Sequence, residues 1–317
     1  MSDDFYPVDI DSIRRAFPPG LEAPPLLIDF AGWLKDRSWG NVGCYSLVGD
    51  FSDNAPVVDG SPLRDKFALF ARLPEGSVVG AWYGAGTSPD NAPIVVLGSE
   101  GEHEIIAASF AGLFAKIATQ RFEANMMWTD FSPHEDAEDQ TAELGDWLVR
   151  RLGVKDLERL SDPPAGFPDF DAWMEKWNGE REEYWATHPA MAKLSEKLVA
   201  HLPEGKNRWD ATRFEVAIVG RQYQVQLWSR GRQPIDEAAA IEPILRGLRD
   251  DMCREHPHLG LWYQVKLAMT ADGRIMPRFD YETRPDIADA PADLTEARAD
   301  LARAPRPARW VPEWLTT

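Results

Sequence analysis

The chain has 317 residues, 44% of them apolar, enough to build two cores of ordinary size and too many for a disordered polymer. No window approaches the roughly 18 consecutive apolar residues of a membrane span, and Met1-Ser2-Asp3-Asp4 lacks the basic and apolar regions of a secretory signal, so a cytoplasmic protein with no membrane partner is expected. The formal charge is −18, divided as −14 over residues 1–165 (27 acidic, 13 basic) and −4 over residues 166–317 (25 acidic, 21 basic), a balance that disfavours nucleic acid and favours either simple solubility or a basic partner.

In chain order, Ile10, Ile13, Ala16 and Phe17 follow helical spacing behind Asp9 or Asp11 as N-cap, and Pro18-Pro19-Gly20 stops the run. Residues 24–30 read as an apolar approach, 42–51 as a strand and 50–62 as a loop. Residues 67–73 and 77–83 then form a hairpin around Pro74-Glu75-Gly76. The stretch 92–114 is the clearest: Ile94–Leu97 is a strand, Gly98-Ser99-Glu100-Gly101 a turn, 102–107 a second strand, and residues 109–120 a helix with Phe110, Leu113, Phe114 and Ile117 on one face. An acidic run from Glu135 precedes another amphipathic helix that ends near Gly153.

Proline and glycine concentrate in residues 161–170, which marks a boundary. Trp173, Trp177, Tyr184 and Trp185 lie on a helical connector interrupted at His188-Pro189 and resumed with Met191, Leu194 and Leu198. A second hairpin spans 213–229 with glutamines alternating against Tyr223, Val225 and Leu227, a helix covers 236–254, and strands at 261–270 and 275–281 flank the turn Ala271-Asp272-Gly273-Arg274. A weak helix over 293–302 leads to an apolar terminus, Trp310 to Leu315, that docks on a domain. The expected fold class is α+β, in two domains that are each a small, mainly antiparallel sheet flanked by helices. The boundaries are 1–160, a Pro/Trp-rich connector 161–206, a hairpin-helix-hairpin domain 207–287 and a tail 288–317.

Chemistry-bearing motifs are sparse. The chain has no phosphate-binding G-x-x-x-x-G-K-[ST], no G-x-G-x-x-G after a strand, no G-x-S-x-G and no H-E-x-x-H, so neither a catalytic residue nor a cofactor is assigned. Cys253, His256 and His258 lie within six residues but lack an evident fourth ligand, and a helix-terminal role for histidine is the simpler reading, so no metal is assigned. Cys44 and Cys253 read as reduced thiols. Asp280 and Glu282 alternate on one strand face as a possible carboxylate pair. His103 sits among Glu100, Glu102 and Glu104, where alternation turns it away from Glu102 and Glu104. The 13 tryptophans serve mainly as core, with Trp82 and Tyr83 also candidates for partner contact.

The order Phe67–Phe70, Gly80–Tyr83, Pro93–Glu102, Ile105–Ser109 and the Phe110–Ile117 helix resembles the SUKH superfamily over about residues 25–155. Residues Tyr223–Trp228, Trp262–Met269 and Arg278–Glu282 resemble, more weakly, the small immunity domains of the YezG type. The resemblance implies a cytoplasmic immunity-type protein that binds a cognate protein toxin, such as a nuclease, and occludes its active site without catalysis. The contacts expected are Glu100, Glu102, Glu104, Trp82, Tyr83, Glu135, Asp136, Glu138 and Asp139, facing a basic surface. The alternatives are an enzyme using Asp280, Glu282 or His103 in an interdomain cleft, and an intracellular scaffold.

Overall fold

The structure, a computed structural model, describes residues 8–18, 20–37, 41–42, 45–48, 66–73, 76–84, 86, 88–98, 102–119, 137–161, 166–202, 212–228 and 232–316. The chain is α+β, with antiparallel open sheets, and gathers into two compact units that divide between Trp173 and Met174.

In the first unit, α1 (Ile10–Arg15) starts on Asp9, whose side chain accepts the N–H of Asp11 at 2.9 Å. Residues 24–30, read as an apolar approach without assigned secondary structure, mostly belong to a helix, α2 (Pro25–Lys35), with proline in the first turn where its missing N–H costs nothing. Leu27, Phe30, Ala31 and Leu34 are its buried stripe, at i, i+3, i+4 and i+7. The strand expected over 42–51 is broken into β1 (Asn41–Val42) and β2 (Tyr45–Leu47), which pair with each other.

Four more strands, β3 (Phe67–Arg72), β4 (Val78–Trp82), β5 (Ile94–Leu97) and β6 (His103–Ala107), complete a six-stranded meander in sequential order. The strands β3 to β5 are buried on both faces, which is why their sequences run apolar without alternating. One face carries Phe70, Val79, Ile94, Val96 and Ile106 into a core closed by α2, α3 (Phe110–Thr119) and α4 (Ala137–Leu152), where the Phe30 and Phe114 rings lie 4.2 Å apart. Gly153 ends α4 at φ +67°. The opposite face receives the start of α5 (Phe170–Thr187): Phe170 and Trp173 pack 4.7 and 5.2 Å from the Trp82 ring. Gly84 leaves room for this, because a Cβ there would stand 2.6 Å from the Trp173 ring.

In the second unit, α6 (Pro189–Leu198) is capped by His188, whose Nδ1 accepts the N–H of Ala190 at 3.2 Å. The strands β7 (Thr212–Val219), β8 (Gln222–Trp228) and β9 (Arg232–Pro234), then α7 (Ala238–Glu255), β10 (Gln264–Met269) and β11 (Ile275–Asp280), form a five-stranded antiparallel sheet ordered β11-β10-β7-β8-β9. Its inner face, with Phe214, Val216, Ile218, Val265 and Leu267, packs on α6 and α7 together with Trp185 and Trp310. Residues 189–198, expected as part of a connector, are therefore core. A further hairpin, β12 (Asp286–Ile287) and β13 (Ala290–Pro291), turns through Ala288 and Asp289 at φ 54° and 61°.

The C-terminal segment then covers part of the sheet's outer face. Helix α8 (Leu294–Arg303) is N-capped by Asp293. Ala292, Ala297 and Leu315 bury Ala217, Val219 and Tyr263. Two arginines lock this layer. Arg249 of α7, 1% exposed, donates from Nε to the Trp262 carbonyl (2.6 Å) and from Nη2 to Asp300 (2.9 Å), and the same Asp300 oxygen accepts the N–H of Gly220 (2.7 Å). Arg306 donates to the carbonyls of Tyr281 and Leu261, both at 2.6 Å.

Removing Asp300 strands a buried cation, so Asp300→Ala should lower stability by about 3–5 kcal/mol, read as a shift in the urea midpoint; a loss under about 1 kcal/mol contradicts the buried pair.

His188 supplies a second test. Burial lowers its pKa below the ordinary value, against the pull of Glu255 and Asp251. The unfolded chain therefore binds the extra proton first, and stability present above about pH 6.5 is lost as pH falls toward the folded pKa. His188→Ser keeps a capping oxygen that does not titrate, and should lose less stability than the natural chain between near pH 7.5 and near pH 5.5. Equal losses contradict this role for His188.

Candidate functional site

The acidic rim expected in the first unit is only partly gathered. Glu104 is exposed on β6, the last strand of the first sheet, opposite Val96. Glu102 is half-buried. Its carbonyl accepts the N–H of Gly98 at 2.6 Å, and its side chain folds back over Gly98, where an added Cβ would lie 2.5 Å from its Cγ. His103 stands edge-on to Phe170 at 5.6 Å, with Nε2 3.4 Å from an Asp171 carboxylate oxygen. Glu100, Glu135 and Asp136 lie outside the described residues, as do the side chains of Glu138 and Asp139 in the first turn of α4.

Trp82 and Tyr83 require a correction. Trp82 is 0% and Tyr83 9% exposed, because both faces of β4 are covered and Phe170 and Trp173 close over the indole. Burial, and then the Asp90 carboxylate, raises the Tyr83 phenol above its ordinary pKa. Neither side chain is a surface anchor.

The residues of the enzymatic alternative are engaged structurally. Strand β11 ends at Asp280, so Glu282 lies beyond it and the two do not alternate on one strand as expected. Asp280 Oδ1 instead accepts the N–H groups of Glu282 (2.8 Å) and Thr283 (2.9 Å), closing an Asx-type turn. The His258 ring packs 5.7 Å from Trp310 and 6.2 Å from His256, and burial raises the Cys253 thiol pKa. Among the described residues no group of three His, Cys, Asp or Glu side chains is placed to hold a metal.

A different surface emerges on the second unit. The register of β7 with its neighbours sets outward residues in rows: Arg278, Lys266, Glu215 and Gln226 across β11, β10, β7 and β8, and beside them Ala268, Arg213, Trp228 and Arg232. Trp228 is 48% exposed, and the Arg232 guanidinium lies 5.6 Å from its ring centre while its Nε donates to Glu215 at 2.9 Å. A groove of about 170 Å³ runs between this field and residues 283–286, with Gln224, Gln226, Gln264 and Arg284 in its lining.

The three outward glutamines of β8 divide their work. Gln222 accepts the N–H of Asp293 (2.7 Å) and Gln224 that of Ala288 (2.9 Å), tying down the β12–β13 hairpin, while Gln226 faces the groove. The glutamine alternation was visible in the sequence. The field itself was not, because it joins side chains about 50 residues apart through register and includes β9, which has no apolar period.

No family model matches the chain, and neither a curated protein nor a solved structure matches it.

If Trp82 is core rather than contact, Trp82→Ala should cost about 3–5 kcal/mol of stability in chemical denaturation; a loss below about 1 kcal/mol would return it to the surface.

Proposed function

We propose that the chain is a non-catalytic, immunity-type protein that acts in the cytoplasm and neutralises a bacterial toxin by binding over its active site. The observation that carries this reading is Glu104, exposed on the edge-strand position of the first sheet, in the half of the chain with a balance of −14. A carboxylate at such an edge also discourages pairing with other strands, so it favours a partner that meets it by charge rather than by adding a strand. The matching toxin has a basic cleft, and a nuclease is the class whose anionic substrate demands one. Charge of this kind mainly accelerates encounter, whereas close apolar contact slows release.

The engagement of Asp280 in a turn and the pairing of His103 with Asp171 weigh against the enzymatic alternative. The test is co-purification with the product of a neighbouring toxin-like reading frame at low and at high salt. A complex should form at low salt, with the association rate falling several-fold in Glu104→Lys and as salt rises. Absence of a complex at low salt contradicts the reading.

A further inference from the structure

We infer that the uncovered half of the second sheet's outer face is a docking surface for an acidic, extended polypeptide segment. The inference concerns the other unit and a ligand of opposite charge, so it stands apart from the function proposed above.

Among the described residues the C-terminal layer and the β12–β13 hairpin cover this face over Ala217, Val219, Gln222, Gln224 and Tyr263. Beyond these residues, Arg213, Lys266, Arg278 and Arg232 surround Glu215, Asp280 follows Arg278 along β11, and the adjoining groove adds Arg284 and Asp286, five cations to three carboxylates. That is a local excess of positive charge in a chain whose total is −18. Glu215 is already paired with Arg232 at 2.9 Å, and the exposed Arg213 and Lys266 are the cations that face a ligand. At physiological salt the Debye length is about 8 Å, so a ligand on the sheet senses chiefly these side chains, Asp280 and Asp286 included, rather than the acids farther along the chain.

Spacing favours an extended ligand. Alternate residues of a strand repeat about every 7 Å and neighbouring strands about every 5 Å, so the cations form a lattice that carboxylates at alternate positions of an extended peptide can meet. Trp228 supplies an aromatic platform at the margin of the field, its ring faced by Arg232. Gln226 and Gln264 line the adjoining groove with amides that both donate and accept, as a peptide backbone requires. Groove amides that both donate and accept match the N–H and C=O groups of a peptide backbone better than a phosphate backbone, which only accepts.

The test uses the full-length protein and a fluorescein-labelled peptide of about twelve residues with glutamate at alternate positions, in about 150 mM salt, followed by anisotropy. The glutamate peptide should bind at least ~10-fold more tightly than the same peptide carrying glutamine. Arg213→Glu with Lys266→Glu should remove at least ~10-fold of its affinity, and Trp228→Ala should weaken it separately. All three positions are exposed, and circular dichroism confirms that the variants fold. Glu104→Lys should leave this affinity unchanged, which separates the result from the fate of the proposed function. No binding of the glutamate peptide, equal binding of the glutamine peptide, indifference to the double charge reversal, or tighter binding of single-stranded DNA of the same length would each overturn the inference.

Discussion

The second unit depends on one buried cation. Arg249 emerges from α7 into a site with 1% exposure and reaches both the carbonyl of Trp262, just ahead of β10, and the carboxylate of Asp300 on α8. Through Asp300 it also fixes Gly220 in the β7–β8 turn, at a glycine whose φ of +54° a side chain would resist. Burial pulls the guanidinium pKa down and Asp300 pulls it back, yet a guanidinium stays charged in any protein interior, so the pair is obligatory once α7 is in place. Its consequence is placement. Helix α8, with Ala292 before it and Leu315 after it, is held as a layer on the sheet, and where that layer stops determines which part of the outer face is left open.

That division bears on function. In the first unit both faces of the central strands are buried, which leaves mainly edges, turns and helix surfaces to present charge, and Glu104 does so on the edge strand as Asp90 does in the β4–β5 turn. In the second unit one half-face is open and cationic, with a half-exposed indole. Trp82, expected as a contact, stabilises the protein from within, while among the described tryptophans Trp228 is the one set on a surface. The chain built this way presents an exposed carboxylate on the edge of one sheet and an open cationic field on the other, each on a unit with its own core.

Much of the fold was legible because its elements keep clean periods. The hairpin at 67–82 follows from apolar runs around a Pro-Glu-Gly turn, that at 212–228 from alternation, and the helices α3 and α7 from their apolar stripes. Helix α2 was missed because its polar positions are few, although Leu27, Phe30, Ala31 and Leu34 carry the right spacing. The β12–β13 hairpin was missed because alanine and aspartate, not Asn-Gly, occupy its left-handed positions. Strand β9 was missed because three exposed residues have no apolar pattern. The site was less legible than the fold. Exposure of a tryptophan depends on what packs over it, and Phe170 lies some 90 residues from Trp82 in the chain. A field assembled by register likewise has no local signature.

Hydroxyl-radical footprinting of the tryptophans, resolved by peptide mass spectrometry on the native protein, tests most directly whether the anchoring aromatic surface lies on the second sheet. The account predicts rapid modification of Trp228 and strong protection of Trp82, Trp262 and Trp310. Reactivity of Trp82 equal to that of Trp228 would contradict it.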